Sequence, residues 1–403
     1  MTELLTKFDG IRQQHARLLE QAGSDPLGVR VDHVLGPTEA EIEGRRCILL
    51  GSNNYLGLTF EPNALQAAHE ALDAAGTGTT GSRVANGSYG MHQDLERQLA
   101  QFFARRHALL FTTGYQANVG MLSAIAGRDD VLMIDADCHA SIYDGCKLSD
   151  ATVQRFRHND PDNLDRRLAR LETPGKALVV IEGIYSMLGD RAPVAEIVEV
   201  VRRHGAYLMV DEAHSLGVTG PNARGVAAEA GVEADVDFIV GTFSKSVGTI
   251  GGFCVADHAA LDAIRLSARA YLFTASLPPA VVAAASRTLE RMRTDPDLRA
   301  RLWANAEVVY DGLTRMGFQL GPEKTPVIAV RMPDAETGLA AWRSLLDAGV
   351  YVNLALPPAT PNGSCLLRCS VCAAHTQAQL DRVLGAFDML AGGFGGAPAA
   401  AAE

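Results

Sequence analysis

A chain of 403 residues, 47% hydrophobic and 21% charged, is long enough for a full core and more than one domain, and its composition excludes a disordered or fibrous protein. Its 36 Lys and Arg against 47 Asp and Glu leave a net charge of −11 with no local basic stripe to offset it, which argues against nucleic acid as a partner. Charges at Glu3, Lys7, Asp9, Arg12 and Arg17 interrupt the start, unlike a signal peptide, and nowhere do the ~18 apolar residues of a membrane span run together.

The seven cysteines therefore sit in a chain that reads as cytoplasmic, where disulfides are not expected. No internal repeat is visible.

Taken in chain order, residues 1–50 read as an N-terminal helix and arm. Leu5, Phe8, Ile11, Leu18 and Leu19 recur at helical spacing over 5–22. This helix is expected to pack on a neighbouring domain or subunit. Contact with a membrane surface is its alternative use, although its charges nearly cancel and it lacks a basic face.

From 51 to 280, strand-like runs at 107–112, 131–135, 177–182, 206–211 and 238–242 alternate with helical patterns such as 94–104, 162–171 and 194–203. Such alternation predicts an α/β fold, a mainly parallel sheet with helices on both faces, whose ligands sit beyond the carboxyl ends of the strands. After Pro278 and Pro279 the pattern predicts a long helix over 281–316. Short strands at 327–332 and 365–369 and helices at 338–348 and 376–390 follow, making a smaller α+β C-terminal domain over 281–391. Residues 392–403, rich in Gly and Ala, have nothing to bury and are expected to be disordered.

Four motifs fall at predicted strand ends. In Thr112–Asn118 (TTGYQAN), Gly114 lets the backbone approach an anion, and the N–H groups opening the next helix can hold a phosphate. In Asp135–Gly145 (DADCHASIYDG), His139 is placed to lie flat on a planar ring. In Val210–His214 (VDEAH), Asp211 can pair with a protonated pyridine nitrogen, and His214 can meet a ring oxygen. In Gly241–Ser246 (GTFSKS), Lys245 follows a buried strand, where a partly dehydrated amine can form an imine with an aldehyde. Each motif is weak alone; a phosphate cradle, ring stack, ring-nitrogen partner and aldehyde anchor in one sheet are specific together. Cys369 and Cys372, with Cys365 and His375 nearby, have a metal-like spacing, but a second clear Cys pair is missing, so we expect packing and no metal.

With these motifs in place, residues 50 to about 390 resemble the α-oxoamine synthases of the pyridoxal-phosphate (PLP) fold type I transferases. The resemblance rests on GTGTTGSRVANGSYGMHQDLE (76–96), DADCHASIYDG (135–145), EGIYSMLGD (182–190), VDEAHSLGVTGPNARG (210–225), GTFSKSVGTIGG (241–252) and FTASLPP (273–279). Within that family, GTFSKSVGTIGGF, YLFTASLPP, YVNLALPPATP and LLRCSVC are most similar to the soluble, homodimeric bacterial serine palmitoyltransferase branch.

The resemblance implies decarboxylative condensation of L-serine with a long-chain thioester of CoA or acyl carrier protein, giving 3-ketodihydrosphingosine and CO2. It implies pyridoxal 5'-phosphate anchored on Lys245, with Asp211 at the ring nitrogen, His139 on the ring face and His214 at the ring oxygen. Gly114, Tyr115, Thr242 and Ser244 would surround the phosphate. Thr274 would reach the partner's cofactor in a homodimer with shared active sites, and Arg368 would bind the substrate carboxylate with Asn54 nearby. One position departs from the branch: Leu356 stands where an Arg precedes the Pro-Pro-Ala-Thr-Pro run. The remaining readings are another synthase of the family (8-amino-7-oxononanoate synthase or 2-amino-3-ketobutyrate ligase), an aminotransferase or retro-aldol lyase, and a non-catalytic subunit of the same fold.

Overall fold

Runs such as VLMID, ALVVIE and FIVGT are apolar on both faces of an extended chain, the pattern of strands covered from both sides. In the computed structural model, which describes residues 4–357 and 359–393, seven strands form the main sheet. In chain order they are β1 (His107–Phe111), β2 (Val131–Asp135), β3 (Thr152–Phe156), β4 (Ala177–Glu182), β5 (Tyr207–Asp211), β6 (Phe238–Thr242) and β7 (Gly252–Ala256). Their order across the sheet is β1-β7-β6-β5-β4-β2-β3. Neighbours from β6 through β3 pair in parallel, whereas β7 runs antiparallel to both β6 and β1. This is the expected mainly parallel α/β sheet with one reversed strand.

Strands β2, β4 and β6 have the predicted bounds. The edge strand β3 went unpredicted because its TVQRF run is largely exposed, with only Val153 and Phe156 apolar and only Phe156 buried.

The chain groups into two units. Among the described residues the larger comprises 53–186 and 190–302, and the smaller 4–52, 187–189, 303–357 and 359–393. Both boundaries differ from the expectation of breaks at 51 and 281. Helix Pro279–Thr294 stays with the larger unit because it packs on Pro62–Ala75 and Gly90–Phe102. The N-terminal arm groups with C-terminal residues because its strand Arg45–Leu49 pairs in parallel with Val350–Tyr351.

The predicted helix over 281–316 is two helices, Pro279–Thr294 and Asp297–Arg315. The Asp295 N–H still reaches Arg291 O at 3.0 Å, but Pro296 has no N–H to give and its ring clashes with the preceding turn.

In the smaller unit, Val327–Met332, Cys365–Ser370 and Asn353–Ala355 form an antiparallel sheet with Cys365–Ser370 in the centre. Trp342, Leu345, Leu346, Leu367 and Phe387 fill its core, and Leu356 packs partly buried against it. The predicted N-terminal helix is a turn of 3-10 helix, Thr6–Phe8, followed by Asp9–Ala22, which packs on Ala335–Asp347 of the same unit. Its Leu5, Phe8, Ile11 and Leu19 remain exposed. Among the described residues no helix is long and apolar enough to cross a membrane. The tail expected to be disordered lies, from 394 on, outside the described residues.

Candidate active site

Parallel strands deliver their last residues to one edge of a sheet, and here that edge is polar. Glu182 ends β4, Asp211 ends β5 and Thr242 ends β6, with Glu182 and Asp211 adjacent in register. Beyond them lies a cavity of about 230 Å³. Gly114, Tyr115, His139, Asp211, His214, Thr242, Ser244 and Lys245 all line it, so eight of the sequence candidates converge. The same cavity also brings in Asn118, Ser141 and Glu182, which sequence reasoning had not assigned.

Gly114 opens helix Gly114–Ile125, capped by Thr113, whose Oγ1 accepts from the Gln116 N–H at 3.0 Å. The first helical N–H groups have no acceptor within the helix and can receive an anion. A Cβ at 114 would lie 2.7 Å from Thr242 Cβ, so only glycine lets β6 end this close to the helix start. Thr242 Oγ1 donates to Gly251 O at 2.9 Å and meets Ser244 Oγ at 2.8 Å, fixing the turn that leads to Lys245. The Tyr115 hydroxyl donates to Asp144 at 2.7 Å and holds that ring at the rim.

Asp211 is buried and oriented from two sides. Its Oδ2 accepts from Asn118 Nδ2 at 2.7 Å, and its Oδ1 accepts from the Ala213 N–H at 2.9 Å. Asn118 also donates to Ser141 Oγ at 2.9 Å, and Ser141 Oγ meets His139 Nδ1 at 2.8 Å. One polar chain thus links the carboxylate at the cavity floor to the imidazole at its wall. Burial lowers the His139 pKa and the Lys245 charge lowers it further, against the pull of Asp211, so the ring is held neutral.

Glu182 receives the His139 backbone N–H and is pushed well above the usual carboxylate range, first by burial and then by Asp211 beside it, with Lys245 opposing. His214 Nδ1 lies 2.7 Å from the Tyr55 hydroxyl, a buried contact that fixes the ring's orientation.

Three candidates fall elsewhere. Asn54 is not among the cavity-lining residues and donates to Thr59 Oγ1 at 2.9 Å. Thr274 lies off the cavity and accepts from Gln116 Nε2 at 3.3 Å. Arg368 belongs to the smaller unit, buried in its central strand, where it donates to Ser370 Oγ at 2.8 Å. In the same unit Cys365, Cys369 and Cys372 are buried, and His375 Nδ1 accepts from the Cys372 N–H at 3.0 Å. No group of three metal-ligating side chains is found among the described residues.

The cavity fits a planar cofactor with a phosphate at one end. A glycine-opened helix start faces two hydroxyls, a buried carboxylate stands at the floor, an imidazole forms a wall, and an amine is carried on the turn after β6. A family model, aminotransferase class I and II, matches residues 45–387. The chain belongs to the aminotransferase class I and II family. Within that family, it is 58% identical to a serine palmitoyltransferase of Caulobacter vibrioides, over 91% of each chain. It is 50% identical to one of Sphingomonas paucimobilis, over 96% of this chain and 92% of the relative. The solved structure of serine palmitoyltransferase from S. paucimobilis with bound PLP–myriocin aldimine superposes at a TM-score of 0.96 and 49% identity, covering 98% of this chain and all of the other.

Proposed function

We propose that this chain is a PLP-dependent acyltransferase that condenses L-serine with a long-chain acyl thioester, releasing CO2 and free thiol and giving 3-ketodihydrosphingosine. The observation that carries the reading is the convergence of Lys245, Asp211 and His139 on one cavity at the carboxyl edge of the sheet.

When bound, pyridoxal phosphate supplies an electron sink for charge at the amino acid's α-carbon. The N–H groups of Gly114 and Tyr115, with Thr242 and Ser244, would hold its phosphate. Asp211, kept in place by Asn118 and the Ala213 N–H, would keep the ring nitrogen protonated. His139 would cover one face of the ring, and His214, set by Tyr55, would meet the ring oxygen. Lys245 Nζ would anchor the aldehyde and, once displaced by the amino acid's amine, take the α-proton. Arg368 would pair with the substrate carboxylate, which later leaves as CO2. The new carbon–carbon bond forms at the thioester carbonyl as the thiolate departs.

The partners that follow are L-serine, an acyl-CoA or acyl carrier protein thioester, and a second copy of the chain in a homodimer with shared sites, where Thr274 would reach the partner's cofactor. We propose no nucleic acid partner and a cytoplasmic location.

The test is to incubate the PLP-loaded protein with palmitoyl-CoA and a panel of amino acids while measuring thiol release and CO2. Serine-dependent release of both supports the reading. Release with alanine or glycine but not serine would redirect it to another synthase of the family, and Leu356 makes this panel worth running.

A further inference from the structure

His158 stands apart from the residues assigned above, yet both of its ring nitrogens are engaged by carboxylates. Nδ1 lies 2.9 Å from Asp135 Oδ1 and Nε2 lies 2.6 Å from Asp190 Oδ2. A neutral imidazole has only one N–H and can satisfy one acceptor; two carboxylate oxygens at these distances require the imidazolium. Both carboxylates are buried, and Asp190 Oδ1 has no hydrogen-bond partner.

The clamp joins two loops that reach the cavity. Asp135 ends β2, four residues before His139, and its oxygens also take the Asp137 and Asn159 N–H groups at 2.8 and 2.9 Å. Asp190 closes the turn that begins at Glu182, with the Tyr185 N–H bonded to Asp190 O at 2.9 Å. Asn159 Nδ2 adds bonds to Asp190 Oδ2 and Arg191 O, both at 3.0 Å. The Tyr185 ring meets His158 edge-on at 4.4 Å. Since Glu182 accepts the His139 N–H, the two loops are tied twice: once at His139 itself and once through His158.

We propose that His158, held as a cation between Asp135 and Asp190, is a positioning residue that locks the 135–139 loop to the 182–191 turn and thereby sets the plane His139 presents to the cofactor. The inference rests on the pyridoxal phosphate seat proposed above. The titratable groups facing His158 are Asp135, Asp190, Tyr185 and, at 4.0 Å, Asp137. Burial alone would lower the His158 pKa, but the hydrogen bonds and charges of Asp135 and Asp190 outweigh it and hold it up at about 10.

The experiment is a double-mutant cycle on cofactor binding, read from the visible circular dichroism of the bound cofactor and its dissociation constant, with far-ultraviolet spectra confirming folding. We expect His158→Gln to weaken cofactor binding about tenfold and reduce the visible dichroism in the wild-type background. In a His139→Ala background the same change should alter affinity less than twofold. Asp190→Asn, which keeps a hydrogen-bonding group but removes a charge, should act in the same direction and make binding decline at a lower pH than in the wild type. It stands in for His158→Gln if that variant does not fold. Equal fold-changes in both His139 backgrounds, or unaltered affinity and dichroism in the single variants, overturn the proposal. Failure of the wild type to bind pyridoxal phosphate overturns the functional reading instead.

Discussion

The two ends of the seven-stranded sheet present opposite chemistries. At the carboxyl ends, Glu182, Asp211 and Thr242 open onto a cavity of about 230 Å³ with His139, His214 and Lys245 around it. At the amino ends, Ala177, Leu178, Tyr207 and Phe238 line a cavity of about 540 Å³ whose walls are mostly apolar. The histidine there, His258, is bound to Asp237 at 2.8 Å. The larger hollow sets Asp130, Lys176 and His258 among mostly apolar residues, whereas the smaller one brings together an amine, a buried carboxylate and a helix start that can receive an anion. Volume therefore does not locate chemistry in this fold; the direction of the strands does.

The largest effect that would break this contrast is at Lys245. Lys245→Ala should lower turnover by ~10³-fold and remove the visible absorbance of the anchored cofactor, since on the proposed reading one group serves as both anchor and base. A normal spectrum in that variant would put the chemistry elsewhere. Next, Arg368→Ala should raise the KM for serine roughly 10- to 100-fold, as expected for a charged hydrogen bond worth ~1.5–3 kcal/mol, with a smaller change in the KM for the thioester.

A more modest effect sharpens the picture of the carboxyl rim. The folded His158 pKa of about 10 lies above the ordinary 6.5, so its stabilising contribution is full below about 6.5 and lost as pH rises through about 10. Denaturant midpoints of wild type and His158→Gln should accordingly converge between pH 7 and 10.5. A gap that stays constant over that range would contradict the charged clamp. Smallest of all, Ala263→Leu in the amino-end cavity should leave turnover within about twofold and stability within ~0.5 kcal/mol. A large loss of activity there would erase the distinction between the two ends.

How far the sequence could be read follows from how strongly burial marks each segment. Strands β2, β4 and β6 are covered on both faces, so their apolar runs carry their own boundaries. Strand β3 is an edge strand that mixes Thr152, Gln154 and Arg155 with two apolar residues and looks like loop. Pro296 was visible in the chain and marked the break between the two long helices, but the apolar periodicity on either side of it masked the interruption. In the site, Asp211 ends a recognisable strand, and Lys245 and His139 each follow one. Asn118 and Ser141, which orient Asp211 and His139, sit inside helices where polar residues are ordinary.

Residue order alone established the α/β alternation, the four motifs at strand ends and the family to which they point, because hydrophobic period and turn chemistry are local properties. Only the tertiary structure decided that Glu182 lies beside Asp211, that Tyr55 sets His214 and that His158 bridges two carboxylates. Those pairings join residues that are 29, 159, and 23 and 32 positions apart. They exist because parallel strands gather distant chain segments at one edge, where burial favours polar groups that are paired.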